Sequence, residues 1–219
     1  MAINFIGAVS TLSTSASPPS HQKGDIFVAA ALRTNNTSAS LPAGWIGLGS
    51  AGTNNLSMRT GYRVAQSSSE NSGTWTNATG LSLIILRPTA GTIAVPTSPA
   101  QTAAISTSVQ YGALTGVVAA DNYIDQTYVA FGSTLLDTNA IETAPTGMTF
   151  LEKSSQSGLA FASFRLTNNA FGNWTAQTVT LPSATWRTSV VRIAEYPFPA
   201  FGVGGGIFFR PGPSGGMSE

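Results

Sequence analysis

Pro42-Ala43-Gly44-Trp45, Gly61-Tyr62-Arg63-Val64, Gly73-Thr74-Trp75-Thr76 and Ile84-Ile85-Leu86-Arg87 follow one another in the first half of this chain. A related series occupies the second half: Pro145-Thr146-Gly147-Met148, Ser163-Phe164-Arg165-Leu166, Gly172-Asn173-Trp174-Thr175 and Val190-Val191-Arg192-Ile193. Pro42 and Pro145, Tyr62 and Phe164, Trp75 and Trp174, and Arg87 and Arg192 keep a nearly constant separation, with small insertions between segments. Short apolar segments parted by Gly, Pro and Asn, occurring twice in the same order, read as a duplicated β unit.

Working outward, Gly24-Asp25 is a turn signal, and Ile26 to Leu32 is a continuous apolar run of strand length, as for a strand covered on both faces. Met58 to Ala65 alternates, with Met58, Thr60, Tyr62 and Val64 on one side and both arginines on the other. Gln66 to Gly73 reads as a polar hairpin-type connection, and Leu81 to Leu86 as a further apolar strand. Ile3 to Val9, followed by a Ser/Thr stretch and Pro18-Pro19, suits an edge strand or extended arm, because adjacent prolines forbid a central strand. Thr89 to Pro99 is the Pro/Gly-rich crossover between halves.

Beyond it, Thr102 to Tyr111 and Tyr123 to Phe131 are strand candidates without a first-half match. Met148 to Lys153 and Leu159 to Leu166 form an antiparallel pair, and Trp186 to Tyr196 alternates again. No window holds a 3.6-residue period, so little helix is expected. The expected fold is all-β: an antiparallel β-sandwich or jelly roll over residues 1–199, built from pseudo-repeats at about 24–88 and 121–196.

Composition narrows the function classes. The 219 residues include no Cys, which excludes disulfides, thiolate metal sites and Cys nucleophiles. Only 9% are charged, against about 25% in ordinary soluble domains, so Ser and Thr carry the polar role. Net charge is +1 with no basic patch, which argues against a nucleic-acid partner. No stretch approaches the roughly 20 apolar residues of a membrane span, and the N-terminus lacks the basic start of a secretory signal. The expectation is a protein made in a cytoplasm without a signal peptide and with no membrane partner.

Catalytic chemistry finds little material. His21 is the one histidine, in a segment read as a surface loop, so a Ser-His-Asp relay or His-rich metal site is disfavoured. Asp121, Asp125, Asp137 and Glu142 are the densest acids; a glycosidase would need two of them about 5 to 10 Å apart, and solvated loop acids explain them as well. A Ca²⁺ site at Asp121/Asn122/Asp125 lacks the alternating acidic loop pattern. No phosphate-cradling Gly motif precedes a helix. The expectation is no enzyme, no cofactor and no metal. Trp45, Trp75, Trp174 and Trp186 read as core, with sugar stacking as the alternative if they are exposed. The repeated Arg63/Arg165 and Arg87/Arg192 read as partners of carbonyls or carboxylates.

Residues 200–219 form a Gly-rich tail in which Phe201, Val203, Ile207, Phe208, Phe209 and Arg210 stand out. Glycine at this density holds no autonomous structure, yet the apolar residues need cover. A docking arm that adds a strand to a neighbour, or inserts aromatics into its groove, meets both conditions.

The order Gly24-Asp25, Pro42 to Trp45, Tyr62 to Ala65, Gly73 to Thr76 and Ile84 to Arg87 resembles a loosely defined group of tailed-bacteriophage virion proteins. The resemblance covers residues 24–87 directly and the second half through the internal repeat. It implies a non-enzymatic β-sandwich in the virion: a capsid decoration or cement subunit, with other virion proteins and further copies of itself as partners, or alternatively a tail fibre or adhesion module binding host-surface carbohydrate.

Overall fold

A computed structural model describes residues 3–89, 92–96, 99–117, 123–137, 139–166 and 172–197. The first sheet contains β1 (Ile3–Thr11), β2 (Ile26–Arg33), β3 (Ile46–Thr53), β4 (Leu56–Val64) and β5 (Gly80–Pro88) in the order β1-β5-β2-β4-β3. The second contains β6 (Thr92–Pro96), β7 (Ala100–Tyr111), β8 (Asp125–Thr134), β9 (Met148–Gln156), β10 (Leu159–Leu166) and β11 (Gln177–Pro197), in the order β6-β11-β8-β10-β9. β7 also pairs with β11, on the flank that β6 continues. All these pairings are antiparallel, and the one helical turn among the described residues is a 3-10 helix at Asn139–Glu142. The molecule is a β-sandwich.

Alternation within strands builds a central core and two outer ones. Val28, Leu32, Met58, Ile84 and Leu86 of the first sheet meet Val129, Phe131, Phe161, Val191 and Ile193 of the second. The alternate residues Phe27, Ala29, Ala31, Leu83 and Ile85 face outward under loops carrying Trp45 and Trp75. On the second sheet Tyr128, Ala130, Phe164 and Val190 lie under Tyr111, Val109 and Trp174. Burial on both faces explains the unbroken apolar runs of β2 and β5. The second outer core is closed by a ribbon. β7 and β11 shift register between Thr180 and Ala184, and Thr102 Oγ1 donates to the carbonyl of Gln110 in its own strand. An extended strand would hold those residues about 26 Å apart, so the ribbon folds back on itself.

The repeated segments occupy corresponding places. Matching β1–β5 to β7–β11 gives the same strand order in each sheet, including the β1/β7 and β2/β8 partners that the sequence left unaligned. Pro42 to Trp45 and Pro145 to Met148 are both turns entering the third strand. Trp45 N donates to Pro42 O at 3.3 Å and Met148 N to Pro145 O at 2.9 Å, with Gly44 at φ 79° and Gly147 at φ 83°. That is the positive φ a type II turn demands at its third position. Trp75 N donates to Thr14 O at 2.8 Å, and Trp174 exchanges backbone bonds with Leu114 at 2.9 Å. Each tryptophan ties its loop to the segment after a corresponding strand, β1 for Trp75 and β7 for Trp174.

Several expectations need correction. Arg63 and Arg165 do not correspond: Arg63 alternates with the core residue Met58 and faces outward, whereas Arg165 shares the inner face with Leu159 and Phe161. The match is one residue out of register, which in a strand exchanges the faces. Gln66 to Gly73 is no hairpin, since β4 and β5 flank β2. Part of the 89–99 crossover is the strand β6. His21 is buried: its Nδ1 lies 2.9 Å from Pro19 O and its ring packs edge-on against Phe27 at 4.9 Å.

Candidate functional site

The charged residues suggested by the sequence are used inside the fold. Arg87 forks onto Asp25, with Nε–Oδ1 and Nη2–Oδ2 both 2.7 Å, and Arg63 pairs with Glu70. This attraction to Asp25 raises the Arg87 pKa above its ordinary value. Arg165 and Arg187 point between the sheets, donating to Ile3 O at 2.8 Å and Leu56 O at 2.7 Å, and burial lowers the pKa of each. Arg192 donates to Thr115 O. The repeated arginines thus serve two carboxylates and two carbonyls.

Among the described residues the candidate acids do not converge. Asp125 opens β8, whereas Asp137 lies beyond its far end, about 30 Å away at strand rise. Glu142 sits in the 3-10 helix and pairs with Lys153 at 2.7 Å. Asp121 and Asn122 fall outside the described residues. Glu195, which the sequence reading passed over, is buried opposite Asp125 in the β8–β11 register and accepts from Thr89 N and Oγ1 at 2.7 Å each. Its neighbour in register was invisible without the pairing. No cluster of three His, Cys, Asp or Glu side chains suited to a metal occurs among the described residues.

Trp45, Trp75, Trp174 and Trp186 are all buried. Trp45 and Trp75 pack edge-on at 4.9 Å, Trp174 lies beside Tyr128, and Trp186 Nε1 donates to Ser106 Oγ at 3.0 Å. None presents a ring face for a sugar, because each fills an outer core beneath a loop or the folded ribbon. Beside Trp186 the ribbon forms an open groove of about 480 Å³, lined by Gln101, Thr102, Ser106, Ser108 and Gln110. Its lining is uncharged, hydroxyl and amide groups beside Ala103, Ala104 and Trp186.

The distinctive exposed feature lies at one corner of the first sheet. Phe5, Leu86, Ile26 and Val64 form a register row across β1, β5, β2 and β4 on the face that meets the second sheet. The middle pair are buried, but Phe5 is 37% and Val64 38% exposed. The Arg165 guanidinium covers Phe5, 5.7 Å from its ring centre. On the other flank, Ile46 is paired with Tyr62 and is 54% exposed. Ile46, Tyr62 and Val64 therefore make an apolar strip on the inner face where the second sheet runs out.

The strip adjoins an edge strand. β3, Ile46-Gly47-Leu48-Gly49-Ser50-Ala51-Gly52-Thr53, carries no charge and no proline of its own, and is protected only by a register shift between Gly47 and Gly49 and by Pro99 over Gly49. The edge strand β9 carries Glu152 and Lys153, and β1 has Pro19 packed over Gly7 and Arg165 on its Ile3 carbonyl. The chain leaves the described sandwich at the same end. The Thr89–Glu195 bonds join the ends of β5 and β11, and Gly24 N donates to Ala65 O at 2.8 Å beside the Asp25–Arg87 pair. The arm residues Phe201, Val203, Ile207, Phe208, Phe209 and Arg210 lie outside the described residues.

No protein-family model matches the chain, and no curated protein or solved structure does. No helix among the described residues is long and apolar enough to cross a membrane.

Proposed function

We propose that this chain is a non-enzymatic structural subunit of a tailed-phage virion, a capsid decoration or cement protein that assembles on the particle through its terminal arms. The observation that carries this reading is the apolar strip Ile46–Tyr62–Val64 beside the uncharged edge strand β3. A strand edge of this kind is a template for pairing with another chain. The resemblance of residues 24–87 to virion proteins supports the setting, and the two matching strand orders support a duplicated unit. Arg87, Arg165 and Arg187 are engaged in holding loops and sheets together, and β3 itself carries no charge, which suits close contact with other coat subunits.

Adhesion to host carbohydrate through the four tryptophans has no stacking surface in this fold. The decisive experiment is truncation after Pro199. The shortened chain keeps the circular dichroism of a folded sandwich and is lost from particles. Full occupancy on particles would overturn the proposal.

A further inference from the structure

We propose that the groove in the crook of the β7–β11 ribbon binds a neutral oligosaccharide, held by hydrogen bonds rather than by a stacked ring. The site goes beyond the structural-subunit reading and does not depend on it.

The groove is built by the bend of one strand. Every second residue of β7 from Thr102 to Gln110 lines it, namely Thr102, Ala104, Ser106, Ser108 and Gln110, with Gln101, Ala103 and Trp186 beside them. The bend is fixed from within. Thr102 Oγ1 and Thr188 Oγ1 both donate to Gln110 O, Trp186 Nε1 donates to Ser106 Oγ at 3.0 Å, and Ser106 Oγ donates to Ser108 O at 3.0 Å. Gly112 lies so close to Ala100 that a Cβ there would come within 2.9 Å of the Ala100 Cβ. The walls are therefore set before a ligand arrives, which lowers the ordering cost of binding.

Three features choose the ligand. A groove of about 480 Å³ falls in the range of small-molecule sites. No charged side chain lines it, so nothing there offsets the desolvation of a phosphate, sulfate or carboxylate. Its hydroxyl and amide groups both donate and accept, as the hydroxyls of a sugar do. Among them Gln101 Nε2 is buried without a hydrogen-bond partner, a donor that calls for an acceptor. Ala103 and Ala104 offer an apolar wall to the C–H face of a sugar. Trp186 is 3% exposed and supplies no ring face, so the hydrogen bonds must carry recognition. An added peptide strand suits the groove less, since the carbonyls of Ser108 and Gln110 already accept from side chains of the ribbon.

The full-length chain is screened on an array of neutral oligosaccharides printed alongside sialylated and sulfated forms, and the strongest neutral binder is titrated by NMR. Neutral glycans should bind, their acidic forms should bind more weakly, and the Trp186 indole and the Gln101 and Gln110 side-chain amide resonances should shift. Ser108→Tyr, at an exposed position, fills the groove and should weaken binding about tenfold or more, the scale of one or two lost hydrogen bonds, with circular dichroism unchanged. Gln110→Ala, also exposed, should weaken it without adding bulk, and Ser69→Tyr on an exposed loop away from the groove should bind as the native chain does. Binding of no neutral glycan, a preference for acidic ones, or full binding by both Ser108→Tyr and Gln110→Ala would overturn the proposal. Shifts along β7 with an uncharged Ser/Thr peptide and none with sugars would overturn it in favour of an added strand. Ser108→Tyr should leave incorporation into particles unchanged, so this site and the structural role fail separately.

Discussion

Tyr111, at the end of β7 in the folded ribbon, turns its ring edge-on to Phe164 at 5.9 Å, and burial pushes its phenol well above the ordinary range. Tyr128 is also raised, chiefly by burial, with nearby Arg192 opposing. Below pH about 10 both states keep these phenols protonated, and stability is unaffected. Above it the unfolded chain ionises first, so the unfolded state is favoured, by up to about 1.4 kcal/mol per pH unit for each phenol that stays protonated in the fold. Denaturant titrations from pH 9 to 12 should show stability falling from pH 10, and Tyr111→Phe should flatten that slope while leaving the neutral-pH midpoint nearly unchanged. An unaltered slope would mean the phenol is not held neutral.

Asp25 is a buried carboxylate with three donors: two from Arg87 and the Gln22 N–H at 2.8 Å. Asp25→Ala strands the Gln22 amide and frees a half-exposed guanidinium, so urea unfolding should show a loss of about 2–4 kcal/mol. The Gly-Asp turn signal was legible in the sequence, but its partner was not: Arg87 is brought beside Asp25 only by β5 lying next to β2.

At the scale of elements, legibility follows burial. β2, β5 and β8 are covered on both faces, so their apolar runs announce them. β6 is short and ends in Pro96, which marks an edge and hides it in a Pro/Gly stretch. The first half of β11 was unread because Pro182 interrupts it; Pro182 lies in the Thr180–Ala184 register shift, where no ladder hydrogen bond is required of it. β3 was hidden by its glycines, and the strip beside it could not be found from sequence because it depends on where the second sheet stops. The lack of charge on β3 predicts a gain from adding one. Ser50→Lys, at an exposed edge position, should lower self-association measured by sedimentation while leaving the thermal midpoint within about 2 °C, since exposed substitutions change stability by under about 0.5 kcal/mol. Unchanged association would show that the edge of β3 takes no strand.

For the whole molecule, the question is whether a sheet can stand without its partner. Each has its own outer core, and the first sheet's packs two tryptophans over the buried strands β2 and β5. Its inner face, however, would leave Ile26, Val28, Leu32, Met58, Ile84 and Leu86 bare, a contiguous apolar surface much larger than soluble monomers show. Arg187 adds a polar tie, reaching from β11 to Leu56 O in β4, and Arg165 does so at Ile3. Separating the sheets would leave these carbonyls and guanidinium groups to be resatisfied by water while the core opens. A fragment of residues 1–89 should therefore fail to give dispersed amide resonances alone and should gain them when co-expressed with residues 90–219. Intact chain should unfold in one calorimetric transition, with Val28→Ala and Phe131→Ala, one from each sheet, lowering the same midpoint. Two separated transitions, or a well-dispersed spectrum from the first fragment alone, would show instead that the outer cores suffice and that the central core only docks two finished domains.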